Sequence, residues 1–172
     1  MKPSGRFNLL GSKTIWSITL GLCLAMVALT AWAIYRRAAQ ATSNRLAAAQ
    51  SVVQALNKVK AGTQVGVNYQ QYGLLVIEAK AAMNNVEAAL PAGELKQSLN
   101  QAIDAYADAG RYWGASINGM IYESSDVGQM LRVKYKIEGD SYYAFSDRNK
   151  VLTVIWLVGE INLDKATTLT RQ

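Results

Sequence analysis

Histidine is absent from the 172 residues, cysteine occurs once, and proline occurs twice, at Pro3 and Pro91. Without histidine there is no imidazole base, no Ser-His-Asp or Cys-His constellation, and no His-ligated metal or haem site. The single thiol, Cys23, cannot close a disulfide within the chain, so cysteine usage does not report the redox compartment. No Gly-rich loop stands between a strand and a helix, which excludes the usual phosphate cradles. Acidic side chains are missing from the first 77 residues. Few helix breakers and abundant alanine point to an all-helical chain.

The net charge of +6 is unevenly placed. Lys2, Arg6, Lys13, Arg36, Arg37, Arg45, Lys58 and Lys60 all precede Glu78, the first acid. From Glu78 on, ten basic residues face twelve acidic ones. The basic excess therefore flanks one stretch near the start, and no basic face for nucleic acid follows from it.

That stretch is Thr14–Tyr35, TIWSITLGLCLAMVALTAWAIY, with no charge and no proline. About 20 mostly apolar residues at 1.5 Å each cross a hydrocarbon core. Trp16 lies near one end, and Trp32 and Tyr35 near the other, at headgroup level. The expectation is a single membrane-spanning helix at 14–35, preceded by a basic tail at 1–13 that stays cytoplasmic. Residues 36–172 then form a domain outside a bacterial-type cytoplasmic membrane, in the periplasm or beyond. Flanking charge is nearly balanced and leans slightly to an inside N-terminus. Ala31-Trp32-Ala33 imitates a signal-peptidase site, with cleavage after Ala33 giving a secreted bundle, but the apolar run exceeds a usual signal core. Ser17, Gly21, Ala25 and Ala28 lie three or four apart, the small-residue pattern that lets another membrane helix approach.

No Gly or Pro interrupts Leu22–Ala61, so the span is expected to continue into a first domain helix over 36–61 as one rod, with Gly62 as its stop. Leu46, Ala49, Val53 and Leu56 mark its inner face. Val65, Tyr69, Tyr72, Val76, Ala79, Met83, Val86 and Leu90 alternate four and three, predicting a helix over 65–90. Pro91 and Gly93 make a turn. The alternation resumes at Leu95 and runs through Leu99, Ala102, Tyr106, Ala109, Trp113, Ser116 and Met120, predicting a helix over 94–121. Folded as an antiparallel hairpin, Tyr72 meets Trp113, Ala79 meets Tyr106, and Val65 meets Met120. Leu74, Leu75, Ile103 and Ile117 broaden the two faces.

Residues 122–146 are ambiguous. Ser125 or Asp126 caps a short helix with Val127, Met130 and Leu131, yet Leu131, Val133, Tyr135 and Ile137 alternate at strand spacing. The expectation is a loop with a short helix. A final helix is expected over 147–170. The fold class is all-α: a single transmembrane helix continuing into an antiparallel up-down bundle of about four helices.

Asp104 and Asp108 lie one turn apart, with Arg111 beyond. They read as a solvated face with a local ion pair rather than an acid–base or metal site. No catalytic residue, metal or cofactor is expected, and no enzyme. Tyr69, Tyr72, Tyr112, Trp113 and Tyr122 gather at the hairpin end far from the membrane, and Tyr135, Tyr142, Tyr143 and Phe145 lie in the segment that covers it. Such rings either close the core or contact a partner or ligand. Arg132, Lys134, Lys136, Arg148 and Lys150 add positive charge there, which suits an acidic partner. Two functions follow. One is an accessory or scaffolding subunit docking on other membrane subunits or on copies of itself. The other is a membrane-tethered binding bundle that captures a small molecule or peptide at the distal Tyr/Trp cluster, similar in layout to four-helix sensor domains of bacterial receptors.

Overall fold

The computed structural model describes residues 11–119, 126–137 and 148–171, without the side chains of 11–25, 27, 28, 126 and 148. Among them are five α-helices and no strand: α1 Gly11–Val65, α2 Tyr69–Val86, α3 Glu94–Ile117, α4 Asp126–Tyr135 and α5 Arg148–Leu169. The chain divides into two compact units, Met1–Ser43 and Asn44–Gln172.

Within the first unit every described side chain from Leu29 to Ser43 is exposed. Leu29, Trp32, Ile34 and Tyr35 are all more than half uncovered. The Thr30 hydroxyl donates to the Met26 carbonyl at 3.0 Å, so this polar group is satisfied inside its own helix. Among the described residues no helix is long and apolar enough to cross a membrane. The side chains of 14–25, 27 and 28, on which most of the 14–35 stretch rests, lie outside that description.

The second unit is a helical bundle. The last part of α1 contributes Ala49, Val52, Val53, Leu56 and Val59 to one core with Tyr72, Met83, Leu99, Tyr106, Tyr112, Ile155 and Leu163. Neighbouring long helices run antiparallel. Lys58 of α1 pairs with Glu78 of α2. Lys165 near the end of α5 reaches Glu94 at the start of α3, at 2.8 Å. Lys60 of α1 lies 3.5 Å from Glu160 and 3.3 Å from Asp164 of α5.

Several boundaries differ from the sequence expectation. Gly62 does not stop α1; the helix passes through it to Val65. A Cβ at Gly62 would meet Leu75 Cδ1 at 2.9 Å, so this glycine admits α2 rather than ending α1. The stop is Gly66, whose φ of +89° is the left-handed conformation that closes helices and whose N–H bonds the Gly62 carbonyl at 3.0 Å. Val65 is therefore not a seam residue facing Met120. It ends α1 and is 87 % exposed; Met120 lies outside the described residues. The next helix starts at Tyr69 because Asn68 caps it: Asn68 Oδ1 accepts from Gln71 N–H at 2.8 Å, and Gln71 Oε1 accepts from Asn68 N–H at 3.3 Å.

The second helix ends at Val86, not at 90. Asn84-Asn85 are weak helix formers, and Pro91 disfavours a helical Leu90. Leu90 still reaches the core, from the turn. The third helix ends at Ile117, with Gly119 left-handed at φ +66°. Leu74 and Ile117 face outward, whereas Leu75 and Ile103 pack inward as expected. The strand-like alternation at 131–137 is overruled. Within α4, Leu131 and Tyr135 are one helical turn apart and buried, and Val133 between them is exposed. Among the described residues the bundle is thus four long helices plus one short one.

The two glycines of the turns should behave oppositely. Gly66→Ala forces a side chain into left-handed backbone and is expected to cost about 1–2 kcal/mol. Gly93 is extended, a Cβ there would meet nothing within 4 Å, and it caps α3 without a side-chain bond; Gly93→Ser is expected to stabilise by about 0.5 kcal/mol. Denaturant midpoints at unchanged slope read both.

Candidate functional site

Asp108 is the one buried charged side chain among the described residues, at 1 % exposure. It projects from α3 toward α4 because Ala105, Asp108 and Tyr112 form a second buried line beside the α2-facing seam. Its carboxylate accepts from Lys134 Nζ at 2.7 Å, from Tyr135 Oη at 2.7 Å, and from Arg111. The first two donors come from α4, the third from the next turn of α3.

Burial alone pushes the Asp108 carboxyl up. The hydrogen bonds from Lys134, Tyr135 and Arg111 outweigh it and hold the group below the usual carboxylate range. The phenol of Tyr135 is pushed up, by burial first, by its hydrogen bond to Asp108 second and by the Asp108 charge third. So the aspartate is ionised and the tyrosine protonated across the neutral range. With three donors on it, this carboxylate is a clamp for α4, not a general base. The wet-face reading of Asp104 and Asp108 is thus half corrected. Asp104 is exposed, but Asp108 is covered by a helix whose position no periodicity within α3 could reveal.

Two open clefts border this clamp. One, of about 390 Å³, is lined by Gln101, Asp104, Lys134, Tyr135, Lys136, Val158 and Asn162. The other, of about 480 Å³, is lined by Lys80, Asp104, Ala107, Asp108, Arg111 and Lys134. Lys136 carries φ +49°, and Ile137 N–H bonds the Arg132 carbonyl at 3.2 Å, closing the end of α4. Among the described residues no group of three or more acidic or cysteine side chains could hold a metal ion.

The aromatic rings form a separate cluster. Trp113 lies 5.9 Å from Tyr69, 5.6 Å from Tyr72 and 6.1 Å from Trp156 between ring centroids. Tyr72 is fully buried. Its hydroxyl donates to the Tyr106 carbonyl at 2.7 Å and accepts from Trp156 Nε1–H at 3.1 Å. Burial raises its pKa. Tyr112 is also fully buried, while Tyr69 remains partly exposed. Tyr72 and Tyr112 offer a ligand no surface in this conformation. Tyr135 is not in the cluster but on the Asp108 clamp. Tyr122, Tyr142, Tyr143 and Phe145 lie outside the described residues, as do the side chains of Ser17, Gly21, Ala25 and Ala28.

Trp156 is the ring that sequence reasoning missed. It sits within the apolar run Val151–Val158, which hides which of its members face the rings. Gly159 and Gly114 are the accompanying signals. A Cβ at Gly159 would meet the Tyr106 ring at 3.1 Å, and one at Gly114 would meet Tyr69 Oη at 2.5 Å. Tyr106 Oη itself is buried with no hydrogen-bond partner among the described residues.

Comparison of the chain with protein-family models, with curated proteins and with solved structures finds no match.

Asp108→Asn should loosen α4 first. The expected cost is about 2–3 kcal/mol, with faster amide exchange over 126–137 than over α3. Because the folded carboxyl sits below its unfolded value, its stabilising contribution is complete above the usual Asp range of about 4. It is lost as pH falls through the lowered value. Wild-type α4 is expected to lose protection only in that acid window, and the variant to show no such step.

Proposed function

We propose that the chain is a non-enzymatic, single-pass membrane-anchored accessory or scaffolding subunit, its helical bundle docking on the exposed part of a larger membrane complex. The observation that carries this reading is apolar surface that the described residues leave uncovered. Leu29, Trp32, Ile34 and Tyr35 are exposed on different sides of α1. A helix that is apolar all round is stable where lipid or protein surrounds it, not where water does. Continuing the same helix back through the uncharged residues to Thr14 gives a length sufficient for a bilayer. A short basic tail before the apolar run, Lys2, Arg6 and Lys13, is the arrangement with which export signals begin and favours the bundle on the outer side of a cytoplasmic membrane.

The bundle supplies the docking face. Leu157 and Ile161 lie one turn apart on α5, 55 % and 58 % exposed, beside the half-buried Val154 and Val158. Isolated exposed aliphatics are ordinary, but an apolar line on one helix is the form in which a helix meets a partner. The lack of a chemical constellation in the sequence supports a binding role. The distal-ring reading of a ligand site draws less support, since Tyr72 and Tyr112 serve the core.

Mild extraction of the protein from its native membrane is expected to yield a stoichiometric membrane-protein partner. Leu157→Glu with Ile161→Glu should abolish that co-purification while changing folding stability by less than about 1 kcal/mol, as surface substitutions do. Migration of the wild-type protein alone would overturn the docking role.

A further inference from the structure

We infer that Trp32, Arg36 and Arg37 of α1 form a binding site for the phosphodiester of anionic phospholipids. The inference rests on the membrane reading above and adds which lipid the anchor selects. The Arg36 guanidinium carbon lies 4.2 Å from the centroid of the Trp32 ring, one helical turn earlier. Stacking of this kind fixes the guanidinium plane without consuming its N–H edge. A guanidinium so held can present two parallel donors to a phosphodiester, a geometry that a flexible ammonium cannot match.

Nothing in the neighbouring sequence neutralises these charges. No acid precedes Glu78, and the described side chains from Leu29 to Ser43 are all exposed. Arg37 follows Arg36 directly, about 100° further round a helix of 3.6 residues per turn, so the two guanidinium groups reach neighbouring headgroups rather than one. Trp32 and Tyr35 place aromatic rings at the same level, the depth where such rings favour the interface. The charge, the stacked geometry and the depth all fit one occupant, a leaflet that carries net negative headgroups.

The test uses the full-length protein reconstituted into phosphatidylcholine bilayers, with trace spin-labelled phosphatidylglycerol or spin-labelled phosphatidylcholine. The readout is the fraction of each label immobilised at the protein. Wild type is expected to prefer phosphatidylglycerol. Arg36→Gln with Arg37→Gln should lower that preference by about thirtyfold, the equivalent of about 2 kcal/mol at about 1 kcal/mol for each basic residue near a charged surface. Trp32→Ala, which keeps both charges, should lower it by a smaller factor; an unaltered preference there removes the stack from the site. Arg45→Gln, an equal loss of charge nine residues further along, should leave it unchanged. No preference in wild type, an unchanged preference in the double variant, or an equal loss in Arg45→Gln overturns the inference. Failure to enter the phosphatidylcholine bilayer at all overturns the membrane reading and the inference with it, whereas entry without preference overturns the inference alone.

Discussion

Apolar side chains that none of the described residues covers set the terms for this molecule. Leu29, Trp32, Ile34 and Tyr35 are exposed along α1, and water is a costly surrounding for them at about 25 cal/mol per Å² of apolar surface. A helix can satisfy its own backbone in lipid, and Thr30 shows the same economy for a side-chain hydroxyl. A β-segment of this composition would leave open edges. The helical state of α1 and its expected surroundings therefore follow from one requirement.

The bundle answers the same requirement differently, by burying its apolar faces on one another. Small residues let large ones in: Gly62 makes room at Leu75, Gly114 at Tyr69 and Gly159 at Tyr106. The phenol of Tyr72 pays for its burial with two hydrogen bonds, to the Tyr106 carbonyl and from Trp156. The short α4 packs Leu131 and Tyr135 into the core, with Val127 and Met130 against it. It adds a charged clamp, Lys134 and Tyr135 on the buried Asp108. A buried carboxylate is weak as a source of stability but fixes one arrangement, because every alternative strands the charge.

Much of this was legible beforehand. Periodicity alone located the faces of α2 and α3, since a half-buried helix must repeat its apolar residues near 3.6. Tyr72 does meet Trp113, as folding the hairpin about Pro91 requires. What stayed hidden depended on other elements. Glycine reads as a stop, so Gly62 could not be told from Gly66 without knowing that Leu75 lies against it. Alternation at 131–137 imitated a strand because Val133 happens to be apolar and outward. Asp108 looked wet because its cover comes from α4. Trp156 was lost in a continuous apolar run, where every phase fits equally well.

The central claim is that the first apolar stretch resides in lipid and holds the bundle there. Alkaline carbonate extraction of native membranes, followed by intact-mass measurement of the recovered chain, addresses it most directly. The full-length chain, with residues 14–35 intact, is expected in the membrane pellet after extraction. Recovery in the supernatant, with mass showing the chain beginning after Ala33, would contradict the account.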